Sequence, residues 1–481
     1  MKKIFLTLTA FTLFTTACSD SDFDINRDPD SLSPDGIALK SELPAGIVGL
    51  VGAQGSYYAL IGGFWAQYFT QGNSSNQYKE IDDYSIATAD YTGGWAAMYD
   101  ALGDIRNVKK LAQEQENWNY YLIASVLEAQ CNQILVDFYD QIPYTEANKA
   151  PEILQPVFNG GQEVYDLMVA DLKAGLAADL SASVGAAPAA DDLIFGGDMA
   201  KWTAYGNTLL LKLYLRQTEA RPTVASAGIN ELFTSGAEFL NADAAMTQFE
   251  DAPDRSNPLF ETDRRQLNTT INIRASKTLF SYLDENNDPR MGDYYNAGAP
   301  LNQGDFNNLG AQTGFAVVKI NPTTPVYLMS REESLFLQAE AYERYASGAG
   351  AKAAYDAGVT EALSKYGYSA TAFIAPGGAY EYPAGTFDQK LEAIIIQKWT
   401  TFFPGNGFEG FFEQNRTGYP EISDVPQSSE TYVPGEFSYS VNGTTGGQFP
   451  KRLVFPSTVT STNQNAPALI PVTTPVWWDV N

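Results

Sequence analysis

The sequence predicts a mostly α-helical protein, built from paired helices that carry long surface loops. Apolar residues recur with helical spacing along most of the chain, and many of these segments are close neighbours. Strand patterns are sparse and short. At 481 residues the length allows one large domain or about three small ones, and an aromatic share of 13% excludes a disordered chain.

The predicted helices follow the spacing of their apolar residues. The clearest shared face consists of Ile123, Val126, Leu127, Cys131, Ile134, Leu135 and Phe138. Helical patterns cover residues 37–71, 93–113, 117–140, 160–180, 199–219, 275–283, 330–346, 351–366 and 384–402. Turn-rich stretches follow at 185–198, 284–327 and 367–385, and the tail beyond residue 416 shows no convincing helix. Short strand signals lie at 315–320 and 452–455.

Charge and composition exclude several classes of function. The net charge of −27 repels nucleic acid and acidic lipid surfaces, so we expect no nucleic-acid partner. The chain has no His, which removes Ser-His and Cys-His catalytic pairs and the commonest transition-metal ligand. Carboxylate, Lys or Tyr chemistry is what remains for an enzyme.

The N-terminus is typical of a secreted protein. Lys2 and Lys3 precede an uncharged, largely apolar run from residue 4 to 17, which predicts a signal peptide over residues 1–17. This run is too short to span a membrane, and we find no later stretch that is long enough.

Cys18 directly follows Ala17, and this segment resembles a bacterial lipoprotein box. Acyl chains such as palmitate on Cys18 would anchor the protein to the outer membrane, with residues 18–35 as a lipidated tether. Cleavage removes two lysines and no acid, so the mature net charge becomes −29. Lipid rather than charge would therefore hold the chain at the membrane.

The acidic tract after Cys18 and the second cysteine each have more than one interpretation. The acidic tract 19–24 resembles an export signal for surface lipoproteins, and a solvated linker fits it equally well. Cys131 has no second cysteine for an internal disulfide once Cys18 is acylated, and it fits a buried small residue.

Acidic motifs give little support for catalysis or metal binding. Residues 284–290 begin with the spacing of a calcium loop, but Pro289 and Tyr295 stand where Gly and Glu are needed, which favours a structural turn. Three adjacent acid pairs could serve a glycosidase, although neighbouring carboxylates point apart, so we expect them to be solvated or capping. They are Asp82-Asp83, Asp191-Asp192 and Glu332-Glu333. We predict no catalytic residue, no metal and no cofactor.

Residues 57–99 combine eleven aromatic residues with several amides, the combination that stacks on and hydrogen-bonds to a sugar. Tyr57, Ile61, Phe64 and Tyr68 share one helical face and fit a core helix better than a site. The candidate ligand-binding residues are Trp65, Asn73, Gln77, Tyr78 and Trp95. Core packing remains an alternative for Trp65 and Trp95, whereas the loop positions of the other three favour binding.

Several ordered segments resemble motifs of the SusD/RagB-like outer-membrane lipoproteins, in the SusD-like branch named for starch-binding association. They are 23–30 (FDINRDPD), 137–147 (DFYDQIPYTEA), 197–202 (GDMAKW), 288–290 (DPR), 329–341, 397–399 (QKW), 415–420 (NRTGYP), 450–456 (PKRLVFP) and 477–479 (WWD). Their order along nearly the whole chain makes the resemblance specific.

The resemblance implies tetratricopeptide-like helix pairs with long loop insertions, forming one SusD-like domain over residues 36–481. It also implies a surface lipoprotein that binds an oligosaccharide and passes it to a SusC-like TonB-dependent transporter, without catalysis. A peptide ligand, a structural lid without a ligand of its own, and a surface glycoside hydrolase with paired carboxylates remain alternatives.

Overall fold

The computed structural model describes residues 39–73, 76–308 and 314–481. The predicted signal peptide, Cys18 and the tether lie outside these residues. The helices are α1 (Leu39–Ala53), α2 (Ala59–Trp65), α3 (Lys79–Asp82), α4 (Thr92–Glu114), α5 (Trp118–Tyr139), α6 (Gly161–Leu176), α7 (Met199–Arg216), α8 (Pro222–Ser235), α9 (Pro258–Phe260), α10 (Lys277–Glu285), α11 (Met291–Tyr294), α12 (Arg331–Tyr345), α13 (Ala351–Ser364), α14 (Thr371–Ile374), α15 (Phe387–Thr401), α16 (Gly407–Thr417) and α17 (Ser457–Thr462).

Short strands form three two-stranded antiparallel sheets among the described residues. The strands are β1 (Phe69–Gln71), β2 (Gln141–Ile142), β3 (Asn159–Gly160), β4 (Ala244–Met246), β5 (Ile273–Ala275) and β6 (Val326–Met329). β1 pairs with β5, β2 with β3 and β4 with β6. Each sheet has two strands of two to four residues, so the described structure is dominated by helices. The predicted mostly α-helical class is confirmed.

The helical predictions match the observed elements closely, and the strand predictions are wrong. Residues 315–320 make isolated bridges instead of a strand, and 452–455 are irregular. Sequence reasoning missed α8 and α16, and also the short helices α3, α9, α11, α14 and α17, the last of which lies in the tail where no helix was expected. Helix α16 is buried almost all round, with Glu409, Glu413 and Arg416 interspersed among Phe408, Phe411 and Phe412, so it lacks the exposed polar face of an amphipathic helix.

Local sequence signals explain where several helices begin and end. The side chain of Ser330 accepts the backbone N–H of Glu333 at the start of α12. Thr386 and Gln389 form a capping box at α15. Gly236 and Gly418 follow α8 and α16 with φ of 69° and 79°, the left-handed conformation that favours glycine at a helix end.

Neighbouring helices pack in pairs around a shared core. Helix α1 packs on α4, α4 on α5, α5 on α6, α7 on α8, and α12 on α13. Helix α2 crosses α16 so closely that a Cβ on Gly62 would lie 2.0 Å from the backbone nitrogen of Phe408. The paired arrangement predicted from the spacing of the helices is therefore observed.

The helical stretch Leu39–Trp65 corrects one expectation. It is 27 residues long and apolar enough to cross a membrane by length and composition, contrary to the prediction that no later stretch is. Its most apolar window is 72% buried within the fold. Such burial is typical of a core helix, and this stretch supplies the face on which α4 and α16 pack.

A buried cluster of charges joins five helices at the centre of the fold. We call it the central charge cluster; its members are Asp137, Lys212, Arg216, Glu333, Glu340, Lys398, Glu409, Glu413 and Arg416. Their side chains are at most 4% exposed. Buried charges are tolerated when they are paired, and here each carboxylate lies close to a cation.

Glu413 has a central place in this cluster. Its Oε1 lies 2.6 Å from Nη1 of Arg216, and its Oε2 lies 3.4 Å from Nζ of Lys398 and also accepts a bond from Arg416. Burial opposes ionisation, yet Arg416, Lys398 and Arg216 hold the pKa of Glu413 well below its usual range. Glu413 therefore compensates three buried cations at once.

The acidic loop before α11 is a structural turn. Oδ2 of Asp288 accepts bonds from Nη2 of Arg290 and from the hydroxyl of Tyr380, each at 2.5 Å. Among the described residues, no group of three or more Cys, Asp or Glu side chains is placed to hold a metal ion.

Candidate functional site

Three loops meet on one part of the surface, close to the segment that the sequence singles out. They are the described parts of residues 72–79, together with 302–308 and 438–449, and we call their joint exposed face the three-loop surface. The side-chain amide of Asn73 donates to the backbone carbonyl of Asn308, which joins the first loop to the second.

Asn442 joins the second loop to the third. Its Nδ2 donates to the carbonyl of Gly304 at 2.7 Å, and its Oδ1 accepts from Nδ2 of Asn307 at 3.0 Å. The backbone N–H and hydroxyl of Thr444 both donate to the carbonyl of Asp83, at 2.9 and 3.0 Å. All three loops are therefore tied to one another or to the chain beneath them.

The three-loop surface presents amide groups to solvent. Asn76, Gln77 and Asn307 are exposed, and Asn73 and Asn442 are half-buried. Amide groups both donate and accept, so they match the paired donor and acceptor character of sugar hydroxyls.

Aromatic rings lie at the edges of this surface. The Nζ of Lys79 lies 4.9 Å from the centre of the Phe306 ring. The half-buried ring of Tyr439 packs edge-on to Phe449, with ring centres 5.9 Å apart. Its hydroxyl is 3.0 Å from that of Thr445.

Trp65 belongs to the core rather than to this surface. It is 3% exposed, its Nε1 donates to the carbonyl of Ile81 at 3.2 Å, and its ring lies 4.9 Å from that of Phe411. A sugar therefore has no access to the ring in this conformation. The core alternative considered for Trp65 agrees with this placement.

Tyr78 and Trp95 are also covered by neighbouring rings. Tyr78 is 2% exposed and packs against Phe64 with ring centres 5.8 Å apart. Trp95, on helix α4, is 7% exposed, and the centre of its ring lies 4.7 Å from that of Tyr139. The structure thus brings Asn73, Gln77 and Tyr78 together on one loop, with the two amides outward and the ring inward. Ligand contact by the five predicted residues stays a prediction.

Asp82, which the sequence analysis noted only as a member of an acid pair, is a buried carboxylate beneath the three-loop surface. Oδ2 of Asp82 accepts the hydroxyl of Thr70 at 2.6 Å and the N–H of Gln71 at 2.8 Å, and Oδ1 accepts Nε2 of Gln303 at 2.5 Å. Burial raises the pKa of Asp82 to about 7. Asp82 thereby ties β1 to the second loop.

Gln67 holds the third loop in the same way. Its Nε2 donates to the carbonyl of Ser438 at 2.8 Å, while its Oε1 accepts the N–H of Ser438 at 3.1 Å and the hydroxyl of Thr278 at 2.5 Å. The second loop gains a further bond from the N–H of Gly304 to the hydroxyl of Thr70, at 2.9 Å. The amides of segment 57–99 therefore serve partly as a buried scaffold for the loops.

The expectation that the adjacent acid pairs are solvated or capping holds only in part. Capping is observed, because the carboxylates of Asp83, Asp191 and Asp192 accept backbone N–H groups of nearby residues. Asp82, Glu332 and Glu333 are buried rather than solvated. Asp192 is buried as well, and its carboxylate accepts the indole N–H of Trp202 at 2.7 Å and the N–H of Gly197 at 2.8 Å. The signal that could have revealed them is weak, because a paired buried acid looks like a solvated one in sequence.

Comparison with known proteins identifies the family. Residues 53–440 match the model of the SusD-like family described as "Starch-binding associating with outer membrane". The chain belongs to this SusD-like family. The resemblance drawn from the ordered motifs is therefore confirmed.

Solved structures show the same fold at low sequence identity. A SusD homologue from Bacteroides uniformis is 21% identical, with a TM-score of 0.72 over 92% of this chain and 99% of that one. A chitin-binding SusD homologue from Flavobacterium johnsoniae is 19% identical, with a TM-score of 0.73 over 91% and 99%. A SusD/RagB family protein from Bacteroides thetaiotaomicron is 18% identical, with a TM-score of 0.73 over 92% and 99%. Among curated proteins, none matches the chain significantly.

The motifs that carry the SusD-like resemblance lie mostly in the interior. Asp137 and Arg416 belong to the central charge cluster, and Arg290, Trp202 and Trp478 are fully buried. These residues therefore define the SusD-like scaffold, whereas the candidate binding surface is built on loops outside it.

Proposed function

We propose that this SusD-like chain is a surface-exposed outer-membrane lipoprotein that binds an oligosaccharide on the three-loop surface. It delivers the oligosaccharide to a partner SusC-like TonB-dependent transporter without chemical change. The observation that supports this most directly is a cluster of exposed amides on mutually bonded loops, in a chain whose family is described by starch binding and outer-membrane association.

The chemistry of the surface suits a carbohydrate. Exposed amides on Gln77 and Asn307 offer donors and acceptors for hydroxyl groups, and the half-buried ring of Tyr439 offers an apolar face. Asn73 contributes an amide at the junction of two loops. The rings of Trp65, Tyr78 and Trp95 are buried, so the sugar contacts proposed for this surface come from the exposed amides and from Tyr439. The chitin-binding relative from Flavobacterium johnsoniae makes N-acetylglucosamine oligomers a suitable first probe.

Membrane attachment rests on Cys18, with residues 1–17 as the cleaved signal peptide. Acylation of Cys18 would keep a chain of net charge −29 at a membrane surface that its charge alone would avoid. Metabolic labelling with a palmitate analogue tests this point. Label on the wild type that is absent from Cys18→Ala supports it, and an unlabelled wild type contradicts it.

Ligand binding is tested by calorimetry with maltoheptaose and chitohexaose, and with a mixture of short peptides. We expect Gln77→Ala and Asn307→Ala each to weaken oligosaccharide binding by roughly fivefold, which corresponds to about 1 kcal/mol for one lost hydrogen bond. Asn230→Ala is the matched control, because Asn230 is an exposed, hydrogen-bonded amide on α8.

The outcomes separate the alternatives. Binding that is unchanged in both loop variants contradicts the three-loop surface as the site. Binding of peptides alone indicates a peptide receptor, and no binding to any probe indicates a structural lid. Hydrolysis of an oligosaccharide that one Asp or Glu substitution abolishes would indicate an enzyme. Co-purification of a TonB-dependent transporter with the tagged protein tests the partner.

A further inference from the structure

Asp82 lies where all three loops of the three-loop surface are attached to the body of the protein. Its Oδ2 accepts the N–H of Gln71, and Oε1 of Gln71 accepts the N–H of Tyr78 in the first loop at 3.0 Å. Its Oδ1 accepts Nε2 of Gln303 in the second loop. The carbonyl of Gln303 in turn accepts the N–H of Val441 in the third loop at 2.9 Å. Each loop is therefore reached from this carboxylate through at most one intervening residue.

The second loop covers the Asp82 carboxylate. The N–H of Gly304 donates to Oγ1 of Thr70 at 2.9 Å, and the hydroxyl of Thr70 donates to Asp82 at 2.6 Å. Gly304 has a φ of 72°, and a Cβ there would lie 1.7 Å from Oγ of Ser440, so the second and third loops fit closely. Asp82 is 0% exposed. Of its three donors, Gln303 is the one on a loop, so lifting of the second loop would uncover the carboxylate.

The carboxylate of Asp82 is buried among neutral partners. Thr70, Gln71 and Gln303 are all uncharged donors. A buried charge that lacks a counterion is unfavourable, so the protonated form gains over the ionised form. Burial raises the pKa of Asp82 to about 7, although the three hydrogen bonds oppose this rise, and the charge of Asp83 adds to it. An aspartate in water has a pKa of about 3.9.

The other titratable groups on the surrounding elements are directed elsewhere. Nζ of Lys79 lies over the ring of Phe306, and Asp305 accepts Nδ2 of Asn308 at 2.9 Å. Burial raises the pKa of Tyr91, and the charge of Glu80 raises it further. Burial and then the charge of Asp82 raise the pKa of Tyr84. Within the described part of the chain, the lysine on α3 is thus directed to a ring rather than to Asp82.

We propose that Asp82 is a pH-sensitive latch for the three-loop surface. The protonated carboxyl holds the second loop closed on β1, and the ionised carboxylate favours a lifted loop that lets water reach it. Lifting breaks the bonds of Gln303 and Gly304, so the tie to the third loop at Val441 is loosened as well. The latch acts on the surface named in the proposed function, but it is a property of the loops and needs no ligand.

Proton linkage gives the shape of the pH dependence. The pKa of Asp82 is raised in the closed state, so its contribution to closure is fully present below the pKa of the hydrated carboxyl, about 3.9, and is lost as pH rises through about 7. With these two values the population of the lifted state increases about 50-fold between pH 5 and pH 7. It increases only about twofold more between pH 7 and pH 8, because Asp82 is then ionised in both states.

The test is hydrogen–deuterium exchange of the purified protein, measured by mass spectrometry from pH 5 to pH 8 and corrected for the intrinsic pH dependence of amide exchange. The reporters are the amides of Gln303, Gly304 and Val441, each of which donates to an acceptor in the described structure. We expect their protection to decrease about 50-fold from pH 5 to pH 7 in the wild type.

Neutral substitutions assign this dependence to Asp82. Asp82→Asn should remove it whatever the overall protection of the loops, and Asp82→Ser gives the same comparison if Asp82→Asn does not fold. Asp83→Asn is the matched control, because Asp83 is a half-buried acid at the next position. Its reporters should keep the pH dependence of the wild type. Melting temperatures show which variants are folded.

Three results would overturn the latch. They are protection in the wild type that does not change with pH, the same change in a folded Asp82 variant, and protection at the reporters equal to that in helix α5, which would indicate unfolding of the whole fold. Calorimetry with maltoheptaose and chitohexaose separates the latch from the proposed function. An absence of oligosaccharide binding with pH-dependent exchange contradicts the proposed function alone. Binding with pH-independent exchange contradicts the latch alone.

Discussion

The substitution Glu413→Gln should destabilise the protein strongly, because the Glu413 carboxylate faces Arg216, Lys398 and Arg416 in the interior. Removal of one partner from a buried ion pair costs about 3–5 kcal/mol, since the remaining charge is left uncompensated. Among the three cations, Lys398 depends most on Glu413. Its one ion pair in the described structure is with Glu413, and burial already lowers its pKa.

The loss of unfolding free energy is measured by urea unfolding or by the melting temperature. With an unfolding entropy of about 2.1 cal/mol/K per residue, 1 kcal/mol moves the melting temperature of a chain this long by about 1 °C. We therefore expect a decrease of roughly 3–5 °C. Glu231→Gln is the matched control, because its pair with Lys173 is exposed and contributes less than about 1 kcal/mol.

The pH dependence gives a second readout. Because the pKa of Glu413 is lowered in the folded protein, its contribution is present above the unfolded pKa of about 4.3 and is lost as pH falls through the folded pKa. The difference in the free energy of unfolding between the wild type and Glu413→Gln should therefore become smaller at acidic pH. A second substitution, Lys398→Met, should recover part of the loss by removing the orphaned cation. A Glu413→Gln variant as stable as Glu231→Gln at pH 7 would refute the reasoning.

Two further predictions concern the scaffold. Burial raises the pKa of Asp82 to about 7, so its contribution to stability is present below pH 4 and is lost as pH rises towards 7, on the order of 4 kcal/mol in total. About 3 kcal/mol of this loss falls between pH 5 and pH 8. Asp82→Asn should remove that difference in the free energy of unfolding, and an unchanged difference would assign it to other groups. Gly62→Ala should destabilise by about 1–3 kcal/mol or more, because its Cβ would meet the backbone of Phe408 at 2.0 Å. The control is Gly52→Ala, where the added Cβ meets nothing within 4 Å. It should stabilise α1 by about 0.5–1 kcal/mol. Equal melting temperatures for the two variants would contradict the close crossing of α2 and α16.

The helices could be predicted well because their apolar residues recur at helical spacing. Helix α5, for example, extends over Trp118–Tyr139 where the pattern predicts 117–140. The pattern fails at α16, which buries Phe408, Phe411 and Phe412 together with charged residues, since a periodicity of apolar residues cannot reveal ion pairs between distant helices. The bridges at 315–320 likewise depend on partners such as Arg274 and Tyr295 that lie elsewhere in the chain.

The candidate site shows the same division. The amide-rich loop with Asn73 and Gln77 was located from its composition, and the structure places it on the three-loop surface. Loop 302–308 has a similar composition, four amides and Phe306 in seven residues, but composition does not show that it meets the first loop. The approach of the loops 302–308 and 438–449 is set by Asp82, Gln67 and Gln303 beneath them. Composition does not distinguish a buried Trp65 from an exposed one.

The sequence by itself determined the helical class, the positions of most helices and membership in the SusD-like family, because spacing and ordered motifs are local properties of the chain. The tertiary structure alone decided which aromatic rings are covered, which acids are buried with a partner, and which loops share a surface. Those outcomes depend on contacts between residues hundreds of positions apart, such as Glu413 with Arg216 and Gln67 with Ser438. The energy of such a contact exists only after the chain has folded.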